Sequence, residues 1–322
     1  MKRILQLILA LSMLASFASA AQSYPTKPVR IIVPYPPGGP VDTLARELAA
    51  ATSTALGQPF LVEPRPGANG VLGTSFVAGA APDGYTLLLG AVGAHINVPA
   101  LSAKPPYDGI KEFAPIVMTI IAPNVLVTGP NLKVGNLQQF IDLAKAKAGA
   151  ITIASAGSGG STHIAGEIFQ DKARVKLTHV PYKGGAPAAT DLVGGHVDSA
   201  FLGVSLVMPH VKAGRMRGLA VASKARSQSM PDVPTFEELG IRDFVAGTWY
   251  GLLAPAGTSP AIVQSIYSAV ARHIGQASVR ARLEGAGLEI FLLDPSAFLA
   301  FMHEQKSDMA KVIKSAGIKL EQ

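Results

Sequence analysis

Residues 29–50 read VRIIVPYPPGGPVDTLARELAA. An apolar run typical of a buried strand comes first, a loop of prolines and two glycines follows, and a helical pattern starts near Val41. Leu44 and Leu48 share one face of that helix, because apolar residues recur there at three- and four-residue steps. The order of strand, tight loop and helix predicts the first unit of an α/β domain.

The same order recurs along the chain. Short apolar runs at 86–89, 151–155 and 219–222 predict further strands, and the second of them leads into a glycine-rich loop and another helical pattern. Strands that alternate with helices favour parallel sheets whose faces are covered by helices. We therefore predict an α/β fold with mostly parallel sheets.

Two apolar, β-prone segments, 115–128 and 244–253, lie where the chain would cross between two lobes. If both segments cross, the second lobe is an insertion into the first. This predicts a first lobe built from residues 21–123 and 251–322 and a second lobe built from residues 124–250. A chain of 322 residues is long enough for about two domains of ordinary size.

The N-terminus has the pattern of a secretory signal peptide. Met1-Lys2-Arg3 is followed by an apolar run and then by Ala18-Ser19-Ala20, so we predict that residues 1–20 are removed on export. The chain has no cysteine, which excludes a lipid anchor of the bacterial kind and a disulfide framework. Outside the signal, no apolar run reaches the roughly 20 residues that cross a bilayer. We expect a soluble, exported protein.

The charge composition narrows the class of partner. The sequence has 28 Lys and Arg against 21 Asp and Glu, a formal net charge of +7, and only 15% charged residues. This small excess favours anionic partners, but it lacks the clustered basic segments of a nucleic-acid-binding protein. The basic side chains between His210 and Arg226 are expected to form a solvated face.

Two glycine-rich loops, each between a predicted strand and a predicted helix, are candidate anion sites. In the first loop, 35–40, Gly38 and Gly39 let a ligand approach backbone N–H groups at the start of a helix. The second loop, 155–163, adds serine and threonine hydroxyls as donors. Taken alone, the first loop is explained equally well as a plain β-to-α turn in which glycine relieves strain. Two such loops facing each other would hold both ends of a small diacid.

Known catalytic signatures are missing from these loops. The second loop lacks the third glycine of the dinucleotide fingerprint, and no P-loop lysine follows any glycine-rich segment. No serine has glycines two residues before and two residues after it, and no close histidine pair predicts a metal site. An exported hydrolase that uses Ser161 and His163 stays an alternative, although a histidine that bonds to its own loop is the favoured interpretation of His163.

Two further side chains have competing interpretations. Lys183 either attracts an anion to a cleft or is a solvated lysine in a turn, and the second interpretation is favoured. Trp249, in the second crossing segment, belongs either to a core or to a surface at the hinge that touches a ligand.

Seven short motifs resemble those of the solute-binding proteins of tripartite tricarboxylate transporters, the Bug family. In chain order they are PYPPGGPVD (34–42), RPGANG (65–70), PDGYT (82–86), PYD (106–108), STH (161–163), VPYKGG (180–185) and PTF (234–236). The match covers essentially the whole chain after the predicted signal peptide. The resemblance implies a two-lobed periplasmic-binding-protein fold of the Venus flytrap type (type II).

The resemblance also implies a ligand site between the lobes, held by loop backbone groups, hydroxyls and ordered water. The matching positions in the first lobe are Tyr35, Pro37, Gly38, Gly39 and Asp42, and those in the second lobe are Ser155, Gly157, Ser161, Thr162 and His163. Asn69, His95 and Tyr182 are second-rank candidates. Pro40 stands where a small hydroxyl residue is common in the family, so one side-chain contact to the ligand is expected to be absent.

The function that the resemblance implies is that of a monomeric periplasmic receptor. Such a receptor captures a small carboxylate, without cofactor or metal, and presents it to the integral subunits of a membrane transporter. It is not an enzyme. A ligand-sensing partner of a membrane kinase remains an alternative, because sensing and transport would use the same ligand site.

Overall fold

The computed structural model describes residues 24–38 and 40–316, so the predicted signal peptide at residues 1–20 lies outside the described residues. The strands are β1 (Val29–Val33), β2 (Phe60–Pro64), β3 (Thr86–Ala91), β4 (Phe113–Thr128), β5 (Thr152–Ser155), β6 (Thr178–Pro181), β7 (Ser199–Gly203), β8 (Arg217–Val221), β9 (Gly247–Pro255) and β10 (Glu289–Leu293).

The α-helices are α1 (Pro40–Leu56), α2 (Val71–Ala78), α3 (Val98–Leu101), α4 (Leu137–Ala146), α5 (Ser161–Ala173), α6 (Gly185–Gly194), α7 (Val204–Lys212), α8 (Pro260–Ile274), α9 (Ala277–Gly285) and α10 (Pro295–Ala316). A 3₁₀ turn at Ala68–Gly70 precedes α2, and a π-helical turn at Gly93–Asn97 precedes α3. Within the described residues, none of the helices combines the length and the apolar character that crossing a membrane requires.

The strands form two sheets that share β4. The first sheet has the order β2-β1-β3-β9-β4-β10, and the second has the order β8-β4-β7-β5-β6. We call each sheet with its helices a lobe. In both lobes the strands away from the junction pair in parallel, whereas every pair that includes β4 or β9 is antiparallel. The sheets are therefore mixed rather than mostly parallel, because the strand that leaves the first lobe and the strand that returns to it run in opposite directions.

The junction between the lobes is made of backbone hydrogen bonds. β4 pairs with β9 up to Pro123 and with β7 from Asn124 onward. Next to this change, Asn124 N–H donates to the carbonyl of Ala246 at 3.0 Å, Ala246 N–H to that of Ala222 at 2.9 Å, and Ala222 N–H to that of Asn124 at 2.8 Å. This closed ring of three bonds ties the two crossing segments to each other.

The lobe boundaries at 124 and 250 stay predictions. Strand pairing bears on them in two ways. β4 changes partners between Pro123 and Asn124, and the returning strand already pairs with the first sheet at Gly247, four residues before Gly251, where the first lobe is predicted to resume. A boundary drawn by strand pairing would therefore place all of β9 in the first lobe.

Each lobe has its own apolar core on both faces of its sheet. In the second lobe, one face is covered by a cluster of five buried phenylalanines: Phe140, Phe169, Phe201, Phe236 and Phe244. The ring centroid of Phe201 lies 5.9–6.0 Å from those of three others in the cluster. Contacts at these distances add to the free energy gained by burying the rings.

Replacing Phe201 by Ala tests this cluster. We expect the free energy of unfolding, measured by urea denaturation, to fall by about 3–5 kcal/mol, because the missing ring leaves a cavity that neighbouring rings cannot fill. Leu61→Ala is the control: Leu61 is 52% exposed on the edge strand β2, so its loss should stay within about 0.5 kcal/mol. Equal losses in the two variants would contradict a packed second-lobe core.

Candidate functional site

The two glycine-rich loops lie opposite each other, one in each lobe. Gly93 marks the meeting point: a Cβ placed there would lie 3.9 Å from the hydroxyl of Tyr35 in the first lobe and 3.7 Å from Cα of Gly160 in the second. Asn69, also in the first lobe, donates from Nδ2 to the carbonyl of Ser158 at 3.2 Å. We call the space between these loops the crevice.

Asn69 belongs to a segment with an unusual backbone. Four consecutive residues have positive φ angles, at Gly67 (142°), Ala68 (46°), Asn69 (51°) and Gly70 (91°). Positive φ is uncommon for residues other than glycine, and asparagine accepts it more readily than most. Such conformations cluster at binding sites, where the surrounding structure holds them in place.

The first loop is held by Asp42, which is buried in the first turn of α1. Its Oδ2 accepts hydrogen bonds from Gly38 N–H at 3.3 Å and from Nε of Arg46 at 3.0 Å. The carboxylate thus positions the loop and is balanced by the guanidinium. Gly38 and Pro37 are exposed, whereas Gly39 lies outside the described residues.

Tyr35 supplies a hydroxyl to the crevice. No hydrogen bond of this hydroxyl is found among the described residues. Burial, with the nearby phenols of Tyr250 and Tyr107 as smaller causes, raises the pKa of Tyr35 well above its usual value. The phenol therefore stays protonated and can donate to an anion at any physiological pH.

The second loop uses three of its predicted site side chains to hold its own shape. Ala156 N–H donates to Thr162 Oγ1 at 2.9 Å, Gly157 N–H to Ser155 Oγ at 3.2 Å, and Gly159 N–H to Nδ1 of His163 at 3.0 Å. The first N–H groups of α5 are different, since they have no acceptor within the helix and no side chain caps it. They are donors available to an anion.

His163 is neutral and structural. Its ring stacks on that of His179, with centroids 4.1 Å apart, and Ser155 Oγ lies 2.7 Å from Nε2 of His179. Burial, followed by the charge of His179, lowers the pKa of His163 to about 4. Its Nε2 lies 3.6 Å from a carboxylate oxygen of Glu167, one helical turn on, an acid that the i, i+4 spacing could have revealed.

Ser161 and His163 do not pair as a nucleophile and its base. The Ser161 hydroxyl contacts the hydroxyl of Thr248, on the crossing strand β9. The Nδ1 atom of His163 is occupied by the N–H of Gly159, and a pKa near 4 makes the ring a weak base at neutral pH. The geometry therefore gives no support to the hydrolase alternative.

Thr248 and Tyr250 are crevice residues that the sequence reasoning missed. Burial raises the pKa of Tyr250 to about 12, and a hydrogen bond with the Thr248 side chain opposes part of that rise. Both residues lie in the segment chosen for its apolar, β-prone character. Their alternation along β9 is the signal that was available, because residues two apart share one face of a strand.

Two second-rank candidates point elsewhere. The ring of His95 lies in the first-lobe core, where Nδ1 donates to the carbonyl of Gly109 at 2.8 Å and the ring packs on Phe113 and Trp249. Burial lowers its pKa to about 4. The hydroxyl of Tyr182 donates to Asp191 at 2.7 Å, so only its backbone reaches the loop, through an N–H bond to the carbonyl of Ser155.

Trp249 is a core residue. It is 2% exposed and packs edge-on against Phe298 at 5.2 Å between ring centroids. Lys183 is exposed. None of the crevice residues described above is a lysine or arginine, and within residues 24–38 and 40–316 no group of three His, Asp or Glu side chains could hold a metal ion. An anion in the crevice would be held by neutral donors.

Comparison with solved structures confirms the fold. The chain superimposes on the periplasmic binding protein BugD with a TM-score of 0.86 and 32% identity, covering 92% of this chain and 100% of BugD. It matches R. palustris Rpa4515, solved with adipate, with a TM-score of 0.88 and 31% identity, covering 92% and 99%. This is the two-lobed, α/β periplasmic-binding-protein fold.

Sequence comparison gives the family. BugT of Bordetella pertussis is 38% identical over 307 residues, covering 94% of this chain and 93% of BugT. The family model described as the tripartite tricarboxylate transporter family receptor matches residues 44–318, which include most of α1, both crossing strands and the second loop. The chain belongs to the tripartite tricarboxylate transporter receptor family, the family of the Bug proteins.

Proposed function

We propose that this protein captures a small dicarboxylate in the crevice and delivers it to the integral membrane subunits of a tripartite transporter. The observation that carries the proposal is the meeting of two glycine-rich loops, one from each lobe, around Gly93. Loops of this kind offer N–H groups and hydroxyls to an anion. The adipate bound to the R. palustris relative supports the same ligand class for this chain.

The proposed ligand contacts are donors that the loops do not use themselves. They are the hydroxyl of Tyr35 in the first lobe and the first N–H groups of α5, at Ser161 and Thr162, in the second lobe. Pro37, Gly38, Gly39 and Gly157 are proposed only to line the crevice, since Pro37 has no N–H and the N–H groups of Gly38 and Gly157 bond to Asp42 and Ser155. The side chains of Asp42, Ser155, Thr162 and His163 act indirectly in this proposal, because their hydrogen bonds hold the loops in shape. His95 and the Tyr182 hydroxyl are left out of the proposed contacts, since the ring of His95 is buried in the first-lobe core and the Tyr182 hydroxyl bonds to Asp191.

The proposed place of action is the periplasm. Membership of a family of periplasmic receptors and the signal-peptide pattern at residues 1–20 support export. We propose a monomer that needs no cofactor, since each predicted crevice donor comes from one copy of the chain. Ligand binding would shift an equilibrium between open and closed lobes by its higher affinity for the closed form.

Thermal stabilisation by carboxylates tests the ligand class. With adipate at a hundredfold excess over its dissociation constant, we expect a gain of about 2.7 kcal/mol in the free energy of unfolding, measured as a rise in Tm. Succinate and citrate complete the panel, and adipamide, which has the same chain length without charge, is the control. Stabilisation by adipamide or by a neutral sugar, with no response to any carboxylate, would refute the proposal.

The Tyr35 hydroxyl can be tested alone. In Tyr35→Phe, we expect the affinity for the best carboxylate of the panel, measured by isothermal titration, to fall about threefold to tenfold, which is the effect of losing one hydrogen bond. Tyr267→Phe serves as the control, because Tyr267 packs on the first-lobe core from α8, away from the crevice. An unchanged affinity in Tyr35→Phe would remove this residue from the site.

The neutral, buried His163 makes the stability of the folded protein sensitive to acid. A lowered pKa in the folded protein means that the unfolded chain binds the proton more tightly, so the stability contributed by a neutral His163 is fully present above about pH 6.5 and is lost as the pH falls towards 4. We expect urea denaturation of the ligand-free protein to show this fall. His163→Gln should show a shallower fall over the same range, and a parallel profile would contradict a neutral, buried His163.

A further inference from the structure

Among the described residues, two direct hydrogen bonds join the lobes at the crevice, and both end on one short turn of the second lobe. Asn69 in the first lobe reaches the carbonyl of Ser158, and Thr248 on β9 reaches the hydroxyl of Ser161. We call residues 158–161 the contact turn. The two bonds approach it from different elements, one from the loop before α2 and one from a crossing strand.

The space around Asn69 is shaped by glycines. A Cβ placed on Gly160 would lie 3.3 Å from Asn69 Nδ2, and a Cβ placed on Gly93 would lie 3.4 Å from the same atom. At Gly157, a Cβ would lie 3.6 Å from Asn69 Oδ1. At 3.3 Å a side chain on Gly160 would press against the amide, and at 3.4 Å one on Gly93 would touch it. The glycines therefore leave the amide of Asn69 its room between the two lobes.

The backbone holds the Asn69 amide in place. Gly67 and Gly70 have positive φ angles on either side of it, and Gly70 N–H donates to the carbonyl of Gly67 at 3.0 Å. A side chain on such a tight turn loses little further freedom when it forms a bond, so more of the bond's free energy is available to hold the lobes together.

The position of Thr248 makes its bond sensitive to the angle between the lobes. Thr248 lies near the start of β9, opposite Ala122, and β9 is anchored to the first sheet by β3 and β4. Ser161 begins α5, whose Ile164 belongs to a buried cluster of the first lobe. A rotation of the second lobe would move Ser161 away from Thr248 and withdraw Ile164 from that cluster.

We propose that Asn69 and Thr248 are positioning residues that hold the lobes closed and thereby set how long a ligand stays bound. This inference rests on the proposed function for the ligand and on the two bonds for the closure. Each bond joins a group of one lobe to a group of the other, so a separation of the lobes breaks it. A ligand enters the open form without breaking them, but it leaves only after both have broken. Loss of either bond raises the dissociation rate, leaves the association rate unchanged and preserves the order of ligand preference.

Two variants remove the bonds with little change in shape. Asn69→Asp keeps the side-chain size and the tolerance of positive φ but replaces the donating NH₂ by an oxygen that faces the Ser158 carbonyl. Its added negative charge also repels an anionic ligand, so the Asn69 bond is tested by the label distances of the ligand-free protein described below, and the kinetic test depends on Thr248→Val, which adds no charge. Thr248→Val replaces the hydroxyl by a methyl group. Thr248→Ser keeps the hydroxyl and is the matched control. For adipate, or for whichever carboxylate binds most tightly, we expect about threefold to tenfold faster dissociation in Thr248→Val and near wild-type rates in Thr248→Ser, measured by stopped-flow fluorescence.

A second measurement needs no ligand. The chain has no cysteine, so Lys145→Cys on α4 and Gln264→Cys on α8, both exposed, accept one spin label in each lobe. Distances between the two spin labels, measured by double electron–electron resonance, should shift to larger values in Asn69→Asp and in Thr248→Val, but not in Thr248→Ser.

The outcomes separate the two proposals. If the wild-type protein binds no carboxylate but the label distances shift as expected, the proposed ligand class fails and the role of Asn69 and Thr248 in closure stands. If carboxylates bind but the label distances are unchanged in Asn69→Asp and Thr248→Val and the dissociation rate is unchanged in Thr248→Val, the closure proposal is overturned. If Thr248→Ser changes the dissociation rate and the label distances as much as Thr248→Val does, the role of the Thr248 hydroxyl is overturned.

Discussion

The two lobes depend on the backbone pairing of two strands. β4 serves both sheets, first with β9 and β10 and then with β7 and β8, and the ring of hydrogen bonds through Asn124, Ala246 and Ala222 fixes the point of change. Because the parallel strands β1 and β5 end towards the crossing, the loops that follow them face each other. Ligand sites of open α/β sheets lie at the carboxyl ends of strands, and here two such ends contribute to one crevice.

The crevice combines donors without a cation. The Tyr35 phenol stays protonated because burial raises its pKa, and His163 stays neutral because burial lowers its pKa to about 4. Asp42 is balanced by Arg46, so its charge is not left to repel an anion. Neutral, preoriented donors bind a carboxylate less tightly than a buried arginine would, but they also release it without breaking an ion pair. That balance suits the proposed delivery of the ligand.

Much of this arrangement was predictable from local pattern. The glycine loops, the helix starts and the two crossing segments each follow from residues that are near one another in sequence. The antiparallel pairing of β4 was not predictable, because its partner β9 lies more than a hundred residues away. Burial also escaped prediction. His95 and His163 are alike in sequence context, each beside small residues, yet one ring lies in the first-lobe core and the other on His179. Thr248 and Tyr250 were read only as strand residues, since nothing in their own segment shows that Ser161 will face them.

The glycines at 93, 157 and 160 have a role in the contact between the lobes that the neighbouring sequence does not reveal. In sequence, Gly157 and Gly160 predict a close approach of a ligand to the backbone, whereas nothing in the sequence analysis singles out Gly93. Positive φ requires glycine at Gly157, but Gly93 and Gly160 have no such requirement, and each leaves room for the amide of Asn69 from the other side of the crevice or from a neighbouring loop. The same absence of a side chain that lets a ligand approach also lets the two lobes touch. Because the proposed ligand would lie against the same glycines that the lobes use to approach each other, a substitution at one of them would alter closure and binding together.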